Sequence, residues 1–132
     1  MIRSTLICIL LFVPACSMLS KDDGSVRKRS FSSADASREI VLAPNRTFEI
    51  VLPSNPSTGY DWVLSINHPE VVHNVSHRYT PDSSGRVGVS GETTWSLRTG
   101  KTGETKLTFS YKRQWETDVL PTRVEVFTID VR

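Results

Sequence analysis

Between Glu39 and the C-terminus, apolar side chains recur with a spacing of two in short runs, and this alternation restricts the chain more than any other property. The runs are Ile40/Leu42, Phe48/Ile50/Leu52, Trp62/Leu64/Ile66, Val71/Val75/Tyr79, Trp95/Leu97, Leu107/Phe109/Tyr111 and Val124/Val126. In extended chain successive side chains point to opposite faces, so each run reads as a strand with one buried face. The runs are separated by turn chemistry: Ala43-Pro44-Asn45, Pro53 to Gly59, His68-Pro69, Pro81 to Gly85, Thr99 to Gly103 and Leu120-Pro121. No long stretch carries helical periodicity. About seven strands in the 94 residues from Glu39 onward predict an all-β fold, an immunoglobulin-like β-sandwich, with a small barrel as second choice. The only cysteines, Cys8 and Cys16, precede this region, so the sandwich is expected to hold together by burial without a disulfide.

The segment ahead of the strands reads as an address followed by a tether. Arg3 is followed by eight apolar residues, Leu6 to Val13, and then Pro14-Ala15-Cys16, which is the order of a secretory signal peptide. Eight residues of helix span ~12 Å, too short for a ~30 Å hydrocarbon core. Residues 1–15 are therefore expected to be a signal peptide. Val13-Pro14-Ala15-Cys16 also resembles the bacterial lipobox, in which the cysteine is lipidated, so Cys16 is the expected lipid anchor to a membrane. An ordinary signal peptidase site after Ala15 is the alternative. The expected location is an outer-membrane lipoprotein facing the periplasm or the surface, otherwise a periplasmic or secreted protein. Residues 16–38 are Ser-rich and charged with few large apolar groups, and are expected to form a flexible linker. Arg27-Lys28-Arg29 reads as a solvated part of it.

Function classes fall away by chemistry. A formal net charge of +2 lacks the basic excess that phosphate binding needs, so no nucleic-acid partner is expected. His68, His73 and His77 are the only histidines. On one strand His73 and His77 would stand ~13 Å apart, too far for a shared ion, so no metal and no cofactor is expected. The chain has no G-x-S-x-G, H-E-x-x-H or P-loop. The beginnings of an enzyme are missing.

The informative stretch is Asn55-Pro56-Ser57-Thr58-Gly59-Tyr60-Asp61-Trp62, between two predicted strands. Pro56 fixes its own φ and biases Asn55 toward extended geometry, while Gly59 permits positive φ. The loop is thus expected to be pre-organised, with a narrow Ser57-Thr58-Gly59 apex able to enter a cleft at reduced entropic cost. Parity with their neighbours places Trp62 and Trp95 in the core, whereas Trp115, between Gln114 and Glu116, is expected to be exposed.

This stretch resembles the NPTTGY-x-W signature of the chagasin-like inhibitors of papain-family cysteine peptidases. Two further segments match that family in the right order. Gly88-Val89-Ser90-Gly91 resembles its G-x-G-G loop, with Ser90 in place of a glycine, and Arg113-Gln114-Trp115 resembles its R-P-W segment, with Gln114 in place of the proline. The resemblance covers residues 39–132. It implies a reversible, tight-binding inhibitor, not an enzyme, that occludes a peptidase cleft with three loops. Asn55, Pro56, Ser57, Thr58, Gly59 and Tyr60 would enter the cleft. Gly88, Val89, Ser90 and Gly91 would lie on its unprimed side, and Arg113, Gln114 and Trp115 on its primed side. The implied partner is a papain-like cysteine peptidase of the same cell, a host or a competitor, bound by a monomer. Ser90 would bend its loop differently if positive φ were required there, and Gln114 would leave Arg113 to Trp115 more mobile than proline does. The alternative is an envelope-tethered immunoglobulin-like adhesion or scaffolding module.

Overall fold

A computed structural model describes residues 28–132. The proposed signal peptide, Cys16 and most of the expected linker lie outside the described residues. Among the described residues eight strands form: β1 (Arg29–Phe31), β2 (Glu39–Leu42), β3 (Thr47–Ser54), β4 (Asp61–Ile66), β5 (Val72–Thr80), β6 (Gly91–Thr99), β7 (Gly103–Lys112) and β8 (Arg123–Val131). They make two four-stranded sheets, β1-β3-β6-β5 and β2-β8-β7-β4.

The sheets face each other through the alternating residues. Phe48, Ile50 and Leu52 from β3 and Leu97 from β6 meet Leu107 and Phe109 from β7 and Phe127 and Ile129 from β8, all fully buried. Phe109 sits edge-on to both Trp95 and Phe127, at centroid distances of 5.5 and 5.7 Å, the arrangement that ring quadrupoles favour. Trp62 and Trp95 are core residues, as parity requires. The fold is the expected all-β immunoglobulin-like sandwich.

Three details differ from the sequence reading. Part of the expected linker is packed structure: β1 pairs in parallel with the start of β3, Arg29 opposite Phe48 and Phe31 opposite Ile50. Phe31 is buried, 6.0 Å from Phe48 in an edge contact, and Lys28 pairs with Glu49 at 3.3 Å. After β1 the chain crosses to the other sheet through a 3₁₀ turn, Ser33–Asp35. The Asp35 carboxylate accepts the Ser32 backbone N–H at 2.8 Å and pairs with Arg38; these two interactions hold its pKa below the ordinary 3.8. One phenylalanine in a polar stretch supplied enough burial to recruit the segment.

The second correction concerns β8. Val124 and Val126 are exposed on the outer face, and the core side belongs to Phe127, Ile129 and Val131. The third concerns β5, where the pairing with β6 shifts between Asn74 and Ser76. This bulge leaves Val75 exposed, and only Val71 and Val72 are buried at the strand's start.

Strand direction sorts the connections into two poles. Residues 55–60, 81–90 and 113–122 join strands at one pole. At the other lie 43–46, 67–71 and 100–102, the beginning of β1, and Arg132, whose N–H bonds to Leu42 O at 3.1 Å.

Candidate functional site

The central loop of the first pole is a single 3₁₀ turn, Pro56–Thr58, entered through Asn55 at φ −135° and ψ 84°, short of the fully extended backbone expected before proline, and closed by Gly59 at φ 81°. Its bonds are local. Thr58 N–H and hydroxyl both donate to Asn55 O, at 3.2 and 2.7 Å, and Gly59 N–H donates to Pro56 O at 2.9 Å. The Ser57 hydroxyl donates to Asn55 Oδ1 at 2.5 Å. Pro56, Ser57 and Thr58 remain exposed. The result is a narrow, internally satisfied wedge, as the residue types led one to expect.

Both neighbouring loops grip this wedge. From the β7–β8 loop, Arg113 lays its guanidinium 4.7 Å from the Tyr60 ring centroid, donates through Nε to Thr58 O at 3.3 Å, and pairs with Glu116 at 3.4 Å. Tyr60 in turn stacks on Tyr111 at 5.5 Å, and Tyr111 packs on Trp62 at 4.8 Å. The Tyr111 hydroxyl accepts the Asn55 N–H at 3.0 Å. Trp115 is 68% exposed, yet its ring rests over Gly59, where a Cβ would come within 2.4 Å of Cη2. Gly59 is thus required twice, for its positive φ and for the closeness of the indole. Gln114 stands apart, on the rim of a cleft of about 550 Å³ between edge strands β4 and β5, with Trp62, Leu64 and Trp95. The expected mobility from losing proline is opposed here by the bonds of Arg113.

The β5–β6 loop is exposed throughout residues 81–90. Gly85 and Gly88 turn it at φ 66° and 85°, and Gly88 O accepts a bond from Asn55 Nδ2 at 3.4 Å. Asp82 caps the turn by accepting from the Ser84 hydroxyl and from its N–H at 3.0 Å, which lowers the Asp82 pKa. Ser90 does not take positive φ; among the described residues Asn45 is the only non-glycine that does. The backbone cost expected at Ser90 therefore does not arise. Gly91 is buried at the start of β6, and a Cβ there would lie 2.2 Å from Thr80 O. Its role is to let β5 and β6 close the base of the loop, while Gly88, Val89 and Ser90 form the exposed edge.

The pole thus gathers Asn55 to Tyr60, Gly88 to Ser90, Arg113 and Trp115 into one surface. Sequence reasoning missed the support beneath it. Tyr111 reads as an ordinary strand aromatic, and nothing local announces that its hydroxyl holds Asn55. Of the histidines, His68 pairs with Glu70 and His77 stacks on Trp95 at 4.4 Å.

The pole therefore presents a stiffened wedge between two bracing loops. The sequence matches the chagasin family peptidase inhibitor I42 over residues 41–131. It is 32% identical over 96 residues to Amoebiasin-2 of Entamoeba histolytica, covering 70% of this chain and 76% of that protein. Its fold resembles the crystal structure of a cysteine protease inhibitor from the same organism, at a TM-score of 0.69 and 20% identity over 79% of this chain and 94% of that one. It also resembles PbICP-C in complex with falcipain-2, at a TM-score of 0.57 and 17% identity over 80% and 91%. The chain belongs to the chagasin family of peptidase inhibitors.

Proposed function

We propose that this protein is a reversible, tight-binding inhibitor of papain-family cysteine peptidases and that the first pole is its binding surface. The wedge at Pro56 to Gly59 would fill the cleft over the catalytic cysteine, with Gly88 to Ser90 on one side and Trp115 on the other. PbICP-C, a protein of similar fold, forms a complex with falcipain-2. The observation that carries the reading is the wedge itself, an exposed apex held at Asn55, Thr58 and Gly59 by contacts from the two flanking loops.

Such a wedge inhibits without being a substrate. A peptidase cleft accepts extended chain, whereas Pro56–Thr58 is wound into a 3₁₀ turn, so its peptide bonds do not run along the cleft. The hydroxyls of Ser57 and Thr58 are already spent on Asn55 and offer no general base or nucleophile. Pre-formed geometry spares the ordering cost of about 0.5–1.5 kcal/mol per side chain that a mobile loop would incur on binding. Occlusion follows from shape alone.

The test is titration of papain and a cathepsin-L-type enzyme with residues 28–132 and with Thr58→Arg, whose long side chain widens the apex. Potent inhibition by the parent and its loss in the variant are expected. A folded parent that inhibits neither enzyme removes the reading. We further propose that residues 1–15 direct export and that Cys16 carries a lipid; incorporation of labelled fatty acid, absent in Cys16→Ser, is the expected result.

A further inference from the structure

The two loops that flank the wedge carry more apolar surface than the inhibitor motifs account for. Val119 is 57% and Leu120 is 87% exposed, beyond the Arg113-Gln114-Trp115 segment of the same loop. Large apolar side chains at that exposure form no part of the core, and two in succession in a loop of the wedge's own pole offer apolar surface to whatever the pole binds. They are also not on a free-swinging tip. Thr122, two residues on, donates both its N–H and its hydroxyl to Tyr111 O, at 3.0 and 3.1 Å, which closes the loop at its base. Pro121 restricts Leu120 to extended backbone. At the other end of the loop, Glu116 N–H closes a turn on Arg113 O at 3.2 Å. The pair therefore stands in a loop closed at both ends, by the Arg113–Glu116 turn and by Thr122.

We propose that Val119 and Leu120 form a second apolar anchor, which docks on a non-polar surface of the target peptidase beside its cleft and sets which peptidases are held longest. The inference rests on the inhibitory reading of the pole. The partner is the same molecule that receives the wedge, because the anchor is continuous with the loop that braces it through Arg113 and Trp115. Asp118 is the only charged residue between Glu116 and Arg123, so a peptidase with a charged or strongly polar surface at this place would leave the anchor unburied. Selectivity would then arise outside the cleft, at a surface that need not resemble the peptidase's substrate preference.

The experiment measures inhibition constants and dissociation rates of residues 28–132, Leu120→Ser, Val119→Ser and Thr58→Arg against several papain-like peptidases. Because both anchor side chains are exposed, the serine variants should unfold at the parent's temperature, which circular dichroism checks. The expected result is a loss of about tenfold or more for Leu120→Ser, mainly in dissociation rate, on some peptidases and almost none on others. A smaller loss in the same order is expected for Val119→Ser. If both serine variants stay within about threefold of the parent on every enzyme while Thr58→Arg abolishes inhibition, the anchor is refuted and the inhibitory pole stands. If the parent inhibits no peptidase, both fall together.

Discussion

Replacing Gly59 by alanine separates two demands that the fold places on one residue. The first is conformational: at φ 81° an L side chain costs about 1–2 kcal/mol relative to glycine. This strain exists in the free and in the bound inhibitor, so it cancels from affinity and appears only in stability. For a domain of this size it lowers the unfolding temperature by about 5–10 °C. The second demand is spatial, because the new Cβ would sit 2.4 Å from Trp115 Cη2, against the ~3.5–4.0 Å of a relaxed carbon contact. Trp115 is exposed and can swing away without disturbing the core, so the fold tolerates the change. On the proposed reading inhibition is expected to suffer, since the indole leaves the wedge it braces; at about 2 kcal/mol, the threshold of a hot-spot aromatic, the inhibition constant rises about thirtyfold. Gly85→Ala is the matched control, with φ 66° and open space where its Cβ would stand. It should show the same thermal loss and inhibition within about threefold of the parent. The assay is a thermal melt by circular dichroism paired with tight-binding titration of papain. Equal inhibition by Gly59→Ala and the parent would refute the idea that Trp115 and the wedge act as one unit.

Three further changes probe other parts of the argument. Arg113→Ala removes the contacts to Tyr60 and Thr58 O and should weaken inhibition about tenfold. Arg113→Lys should recover little of it, since an ammonium lacks the planar face and the fork that make both contacts; inhibition constants for the pair decide. Phe31→Ala should cost about 3 kcal/mol in urea unfolding by releasing β1 from β3, while the folded fraction keeps full potency in the same titration. Asp35→Asn tests the turn after β1. The folded carboxyl has a lowered pKa, so its contribution is fully present above the unfolded value near 3.8 and is lost as pH falls through the folded one. Urea midpoints should therefore differ between Asp35→Asn and the parent at pH 7 and draw together as the pH falls below the unfolded value of 3.8.

How much of this was readable beforehand depends on whether the determining contact is local. Phe48/Ile50/Leu52 and Leu107/Phe109 alternate against polar neighbours, so a single strand already states which face is buried. Val124-Glu125-Val126-Phe127 offers apolar residues of both parities. There the choice belongs to β2 and β7, which flank β8. Phe31 was hidden because composition averages over a window, and one aromatic among serines and basic residues does not move the average. In the loops, Pro56 and Gly59 announce their own backbone and were legible. The bracing of Gly59 by Trp115, and of Thr58 by Arg113, joins positions more than fifty residues apart and exists only once β7 lies against β4. The family motif names these residues as if each faced a partner separately; in the folded chain Arg113 gives Nε to Thr58 O, Nη1 to Glu116 and its flat face to Tyr60.

The strand order has a consequence for how the molecule can be mounted. β1 begins opposite the start of β3 and Arg132 bonds beside the end of β2, so the chain enters and leaves the sandwich on the side away from the wedge. Anything fastened upstream of Lys28 or downstream of Arg132, whether a bead, a dye, a second domain or a surface, pulls on the blunt end. The working end then stays turned outward like the blade of a tool held by its handle. Immobilised copies should keep their potency whichever terminus is used, and a linker's length should govern reach without governing aim.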